Sequence, residues 1–119
     1  MNRPIKFRVW DKRETKGMST QNMLYDAQLH HLWQDFVDYP GSYVLMQYTG
    51  CHDSSNNEIY EGDIVQYNNG DVIRIGYVGF MAGIFFLNYP DETDDELGYL
   101  LVSNLKVIGN KFEHSELLK

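Results

Sequence analysis

Asn68-Asn69-Gly70-Asp71 lies between two apolar runs, Ile64 to Tyr67 and Val72 to Val78. Asn-Gly accepts the positive φ of a tight hairpin turn, so this spacing predicts two antiparallel strands. Similar punctuation recurs along the chain and leaves short segments between turn residues. Ile5-Lys6-Phe7-Arg8-Val9-Trp10 alternates apolar and basic residues and reads as a strand with Ile5, Phe7 and Val9 on one face. Asp11 to Gly17 reads as a turn, Met23 to Tyr25 as a short strand, and Tyr43 to Tyr48 as an apolar strand. Between them, Gln28 to Val37 has Leu29, Leu32, Trp33 and Phe36 at helical spacing but no cap, so helix and strand both stay open. Asp38-Tyr39-Pro40-Gly41-Ser42 reads as a turn.

Thr49 to Asn57 reads as a loop, with Gly50 releasing the preceding strand, and Gly62-Asp63 as a bend into the next one. Gly79 to Gly83 is expected to bend before a buried strand at Ile84 to Leu87. Asn88 to Glu96 reads as an acidic loop, Leu97 to Val102 as an apolar element of open type, and Lys106 to Phe112 as the last strand. Glu113 to Lys119 reads as a polar tail or a single helical turn. Such a series predicts a mainly β fold: a small barrel-like antiparallel sheet with an N-terminal strand arm, and one short helix if 28–37 coils. Ile59 to Phe112 resembles the run of an SH3-like barrel, an analogy of fold and not of function.

At 119 residues the chain is expected to form one domain, 1–119. Its single cysteine, Cys51, excludes an internal disulfide framework. No apolar signal core opens the sequence, and no apolar stretch is long enough to span a bilayer, so a cytoplasmic setting is expected. Residues 1–16 carry six basic side chains against Asp11 and Glu14, a net of +4; with −7 overall, the remainder carries −11. An acidic body disfavours nucleic acid and anionic membrane. A basic arm could instead dock on the acidic body of a neighbouring copy, an association expected to weaken with salt.

Three segments together carry a resemblance: Ile5 to Asp11; Leu45-Met46-Gln47-Tyr48-Thr49-Gly50 with Glu58-Ile59-Tyr60-Glu61-Gly62-Asp63-Ile64-Val65; and Val107-Ile108-Gly109-Asn110 with Glu116-Leu117-Leu118. In order and spacing the chain resembles the YopX family of phage and prophage proteins, over nearly its whole length. The resemblance implies a mainly β domain encoded by a temperate phage, hence a bacterial host cell, and brings no activity with it. Cys51-His52, Gln28 to Ser42 and Asp91 to Glu96 depart from the family pattern, so nothing is inherited there.

Read physically, the middle motif is a corner: Gln47, Tyr48 and Thr49 close a strand, Tyr60 and Glu61 bracket the bend, and Asp63 accepts hydrogen bonds from the turn's backbone. A sharper reading makes Tyr48, Tyr60 and Asp63 an exposed recognition surface, joined by the basic arm of Arg3, Lys6 and Arg8. For metal, His30, His31, Cys51, His52, Asp53 and His114 lack the ligand spacing of a zinc site. Asp91 to Glu96 lacks the glycine and terminal glutamate of a calcium loop and reads as a solvated charged loop. No nucleophile elbow or phosphate loop is present, and Cys51 beside His52 does not make a catalytic pair. No cofactor is expected. Tyr67, Tyr77, Phe80, Phe85 and Phe86 supply aromatics for single-strand binding, but few basic residues accompany them. The expected function is therefore a non-enzymatic phage accessory protein that self-associates and binds a host or phage protein. A nucleic-acid-associated protein of phage replication or regulation is the alternative.

Overall fold

A computed structural model describes residues 5–12, 14–15, 18–19, 22–25, 38 and 41–119. Arg3 and the open segment 28–37 lie outside the described residues. The chain divides into two compact units, residues 1–47 and 48–119. Among the described residues the paired strands are antiparallel, and the fold is mainly β. No described helix is long and apolar enough to cross a membrane.

In the first unit, β1 (Phe7–Asp11) is the central strand. Strands β2 (Glu14–Thr15) and β3 (Met18–Ser19) form a two-residue ladder, so part of Asp11 to Gly17, expected to be a turn, is strand. One neighbour of β1 is β4 (Asn22–Tyr25), which pairs Val9 with Leu24; the other is the start of β5 (Tyr43–His52), which pairs Val9 with Leu45. A strand flanked on both sides need not alternate in burial. Val9, Trp10, Arg8 and Asp11 are all buried, whereas Ile5 is exposed. The expected Ile5-Phe7-Val9 face is thus only partly realised.

The second unit holds a five-stranded sheet in the order β10-β9-β8-β7-β11. Its members are β7 (Asp63–Asn68), β8 (Ile73–Met81), β9 (Ile84–Asn88), β10 (Asp94–Glu96) and β11 (Leu105–Asn110). Four strands run as a meander. Two 3-10 turns, Leu97–Tyr99 and Val102–Asn104, then return the chain so that β11 pairs with β7. This is the strand order of an SH3-like barrel, as the sequence suggests. Ile59, Val65, Val78, Leu87, Tyr89, Leu97 and Leu105 form its core. Strand β6 (Glu58–Tyr60) pairs with the end of β5, and Ser115–Leu118 closes the chain as one 3-10 turn.

Two turns differ from expectation. The Asn-Gly hairpin does form, but Gly70 alone takes positive φ within it. Asn68 Oδ1 accepts from Gly70 N, and Asn69 Oδ1 accepts from Asp71 N and Val72 N, so side chains replace the two-residue turn. The tight turn lies instead at Ala82-Gly83, both at positive φ, and joins β8 to β9 with Met81 opposite Ile84. Consequently β8 runs straight to Met81 where a bend is expected, and the acidic loop ends as a strand.

Candidate functional site

Strand β5 does not end at Gly50. It continues to His52 through a register shift between Tyr48 and His52, with Gly50 at φ 85°. A bulge leaves ladder groups without strand partners. Thr49 supplies them: its hydroxyl donates to Ile59 O at 2.7 Å and accepts from Cys51 N at 3.1 Å. Thr49→Val keeps the shape and removes both bonds. It is expected to cost about 2 kcal/mol, read by urea unfolding.

At the facing bend Gly62 takes φ 84°, and Asp63 Oδ2 accepts from Tyr60 N at 2.8 Å. Tyr48 and Tyr60 stand opposite each other with ring centroids 5.4 Å apart. Tyr48, Tyr60 and Asp63 are therefore brought together, but all three are buried. Their placement fits the structural corner and corrects the exposed surface: the aromatic pair packs inward, and the carboxylate serves its own turn. Arg8 is buried within β1, so it is no part of a free basic arm; Lys6 is half-buried.

Asp53 is the polar centre that the sequence does not announce. Its carboxylate accepts from Ser55 N, Asn57 N, Asn57 Nδ2 and Val107 N, and the side chain is 1% exposed. Burial alone raises the pKa of such a carboxyl, but the four donors outweigh it and hold Asp53 below the usual carboxylate range. Those oxygens are thus committed to the fold. His114 Nδ1 likewise accepts from Asn110 N at 3.1 Å. Among the described residues no cluster of His, Cys, Asp and Glu could hold a metal ion.

A second polar group lies at the far end of β9. Arg74 stacks on Tyr89 with its guanidinium carbon 3.5 Å from the ring centroid, and pairs with Asp91 at 3.1 Å. Hydrogen bonds from Thr93, aided by Arg74, hold the exposed Asp91 carboxyl below its ordinary range. Tyr89 donates to Asp95 at 2.7 Å, and burial together with that carboxylate pushes the phenol pKa up. An open groove of about 370 Å³ lies beside this group, walled by Ile73, Ile75, Pro90, Leu117 and Leu118. Lys119 also lines the groove, whose arginine is paired with Asp91.

Exposed apolar side chains cluster at the β8–β9 tip. Phe80, Met81 and Ile84 are 43%, 66% and 40% exposed. Residues 78–87 carry no charge. Phe80 pairs with Phe85, ring centroids 4.7 Å apart, on the face shared with buried Val78 and Leu87. Met81 and Ile84 pair on the opposite face. A hairpin apolar on both faces cannot bury both against one core. Sequence reading assigns Ile84 to Leu87 to the interior because an apolar run carries no sign of which end leaves the core.

Residues 6–119 match the YopX protein family. The chain belongs to the YopX family. Among solved structures it is similar to protein EF1440 from Enterococcus faecalis, with 25% identity, TM-score 0.59, and coverage of 99% of this chain and 100% of that one. It is also similar in fold to protein yopX from Bacillus subtilis, with 17% identity, TM-score 0.57, and coverage of 96% and 98%. No curated protein matches it. Within the second unit the YopX-like segments include the Thr49-Gly50 bulge, the Gly62-Asp63 bend and the end of β11, where Asn110 Oδ1 accepts from Phe112 N and Glu113 N. Within the second unit, then, the YopX resemblance is carried largely by architecture, and the apolar tip lies outside those segments.

Proposed function

We propose that this YopX protein is a phage accessory protein, active in the cytoplasm of a bacterial host, that works without enzymatic chemistry as a self-associating protein-interaction module. The observation that supports this reading is the uncharged β8–β9 tip, exposed on Phe80, Met81 and Ile84. Apolar patches of this kind on a small domain commonly mark protein contacts. The polar residues singled out at the corner serve backbone groups and leave recognition to the tip.

The test combines light scattering of the purified protein with a tagged pull-down from a bacterial host lysate, with and without nuclease. The expected result is an assembly larger than one chain and a protein partner retained after nuclease. A strict monomer that keeps no partner overturns the reading. Partners lost on nuclease treatment replace it with the nucleic-acid alternative.

A further inference from the structure

Ladder pairing between β8 and β9 ends at Tyr77 and Asn88. Ile73, Arg74 and Ile75 run on beyond it, with β7 on one side and no paired strand on the other among the described residues. The groove of about 370 Å³ lies along this open stretch. Successive strand residues point to opposite faces, so a free edge can gather side chains from both. Ile73 and Ile75 come from one face and Arg74 from the other. Leu117 and Leu118 come from the closing 3-10 turn, which packs on β8. An aliphatic wall thus stands beside a guanidinium.

That guanidinium is held in place without being used up. Tyr89 covers one of its faces, and Nη2 makes its hydrogen bonds, to Asp91 and Thr93. Nε and Nη1 donate to no acceptor among the described residues, and the side chain is 31% exposed. Stacking and the Nη2 bonds fix Arg74 in advance, so a ligand does not have to order it. Lys119 shares the groove, and its ammonium has no carboxylate partner among the described residues.

The wall favours a hydrocarbon and the open donors favour an anionic head. Asp91 limits the charge of that head. Its carboxylate lines the same groove, and the chain carries −7 overall, so a doubly charged phosphate meets more repulsion than a single carboxylate. The volume lies at the lower end of the range for small-ligand sites, which suits a short chain. We propose that this groove binds a small aliphatic carboxylate, its head on Arg74 and Lys119 and its hydrocarbon chain along Ile73, Ile75, Leu117 and Leu118. The site lies at the other end of β8 from the apolar tip, and the proposal goes beyond the interaction-module reading and stands independently of it.

Titration of the full-length protein with octanoate, followed in ¹⁵N and methyl spectra, tests it, with acetate, octanol and octylammonium as comparison ligands. Octanoate is expected to saturate one site and to bind about tenfold more tightly than each of the three, or better. Shifts should centre on 73–75, 89–91 and 117–119. Arg74→Gln should weaken octanoate about tenfold, and Leu117→Ser about threefold. Asp91→Asn removes the competing carboxylate and should strengthen octanoate about threefold, a gain that a folding defect does not imitate. Lys106→Ala makes the same change of net charge as Arg74→Gln at an exposed residue outside the groove and should leave the affinity unchanged. Absent binding, equal binding of octanol or octylammonium, shifts centred elsewhere, or an Asp91→Asn protein that binds octanoate no better than its parent overturns the proposal.

Discussion

Gly76→Ala is expected to lower stability by about 3 kcal/mol and the Tm by about 10 °C. Gly76 sits in β8 opposite Val65, with an ordinary negative φ, so backbone freedom is not the reason. Space is. A Cβ at this position would land on the carbonyl oxygen of Asn88 and 3.0 Å from Tyr89 Cδ1. The first is backbone of the neighbouring strand region and cannot rotate away. The second belongs to a ring held by Arg74 on one face and by Asp95 at its hydroxyl. Relief therefore requires the β8–β9 ladder to part or the Arg74–Tyr89 stack to shift, and close-packed interiors yield poorly to such insertions. Gly98→Ala is the control: nothing stands within 4 Å of its Cβ and its φ is not positive, so its change should stay within about 0.5 kcal/mol. Urea unfolding of both variants decides the matter. A Gly76→Ala protein as stable as its parent would mean that the two strands do not approach as described.

The same glycine shows what the sequence could and could not convey. The mainly β character and the SH3-like order from Ile59 to Phe112 were legible because they follow from local alternation and turn residues; the short strands Glu14–Thr15, Met18–Ser19, Glu58–Tyr60 and Asp94–Glu96 were not. Gly76 lies mid-strand with nothing local to mark it, since its need comes from Asn88 and Tyr89 arriving from another segment. The hairpins teach a related lesson. Asn69-Gly70 has the stronger turn chemistry, yet Asn68 and Asn69 spend their side chains on the backbone and widen the loop. Ala82-Gly83 has the weaker chemistry, yet adopts the tight turn because the ladder from Tyr77–Asn88 to Met81–Ile84 brings the strands into register for it. The candidate site was less legible than the fold. Tyr48, Tyr60 and Asp63 were correctly grouped as a corner, but exposure depends on what packs over a residue. The apolar tip was hidden in a run that also supplies the core through Val78 and Leu87.

Asp53→Ala should be the most damaging single change in the second unit, at about 4 kcal/mol, because it removes the acceptor for three backbone N–H groups at once. Two of those groups belong to the 53–57 turn and the third to Val107 in β11, so the carboxylate ties a local turn to the strand that closes the sheet; Ser54 N to Leu105 O at 2.9 Å runs beside it. Asp53→Asn separates charge from shape. The amide retains one oxygen for Ser55 and Asn57 but turns an NH2 toward Val107 N–H and Asn57 Nδ2, setting donor against donor. A loss of about 2–3 kcal/mol is expected at pH 7. The pH dependence follows from the depressed pKa in the folded state. A carboxyl with its folded pKa below the unfolded value of about 3.9 adds stability that is present above that value and disappears as pH falls through the folded pKa. The gap between parent and Asp53→Asn should therefore be widest near neutrality and narrow below about pH 4, when the parent's carboxyl also takes up a proton. Denaturant titrations at pH 7 and pH 3 measure that gap. A gap unchanged between the two would show that Asp53 acts by shape alone, and that its charge does not hold β11 to the turn.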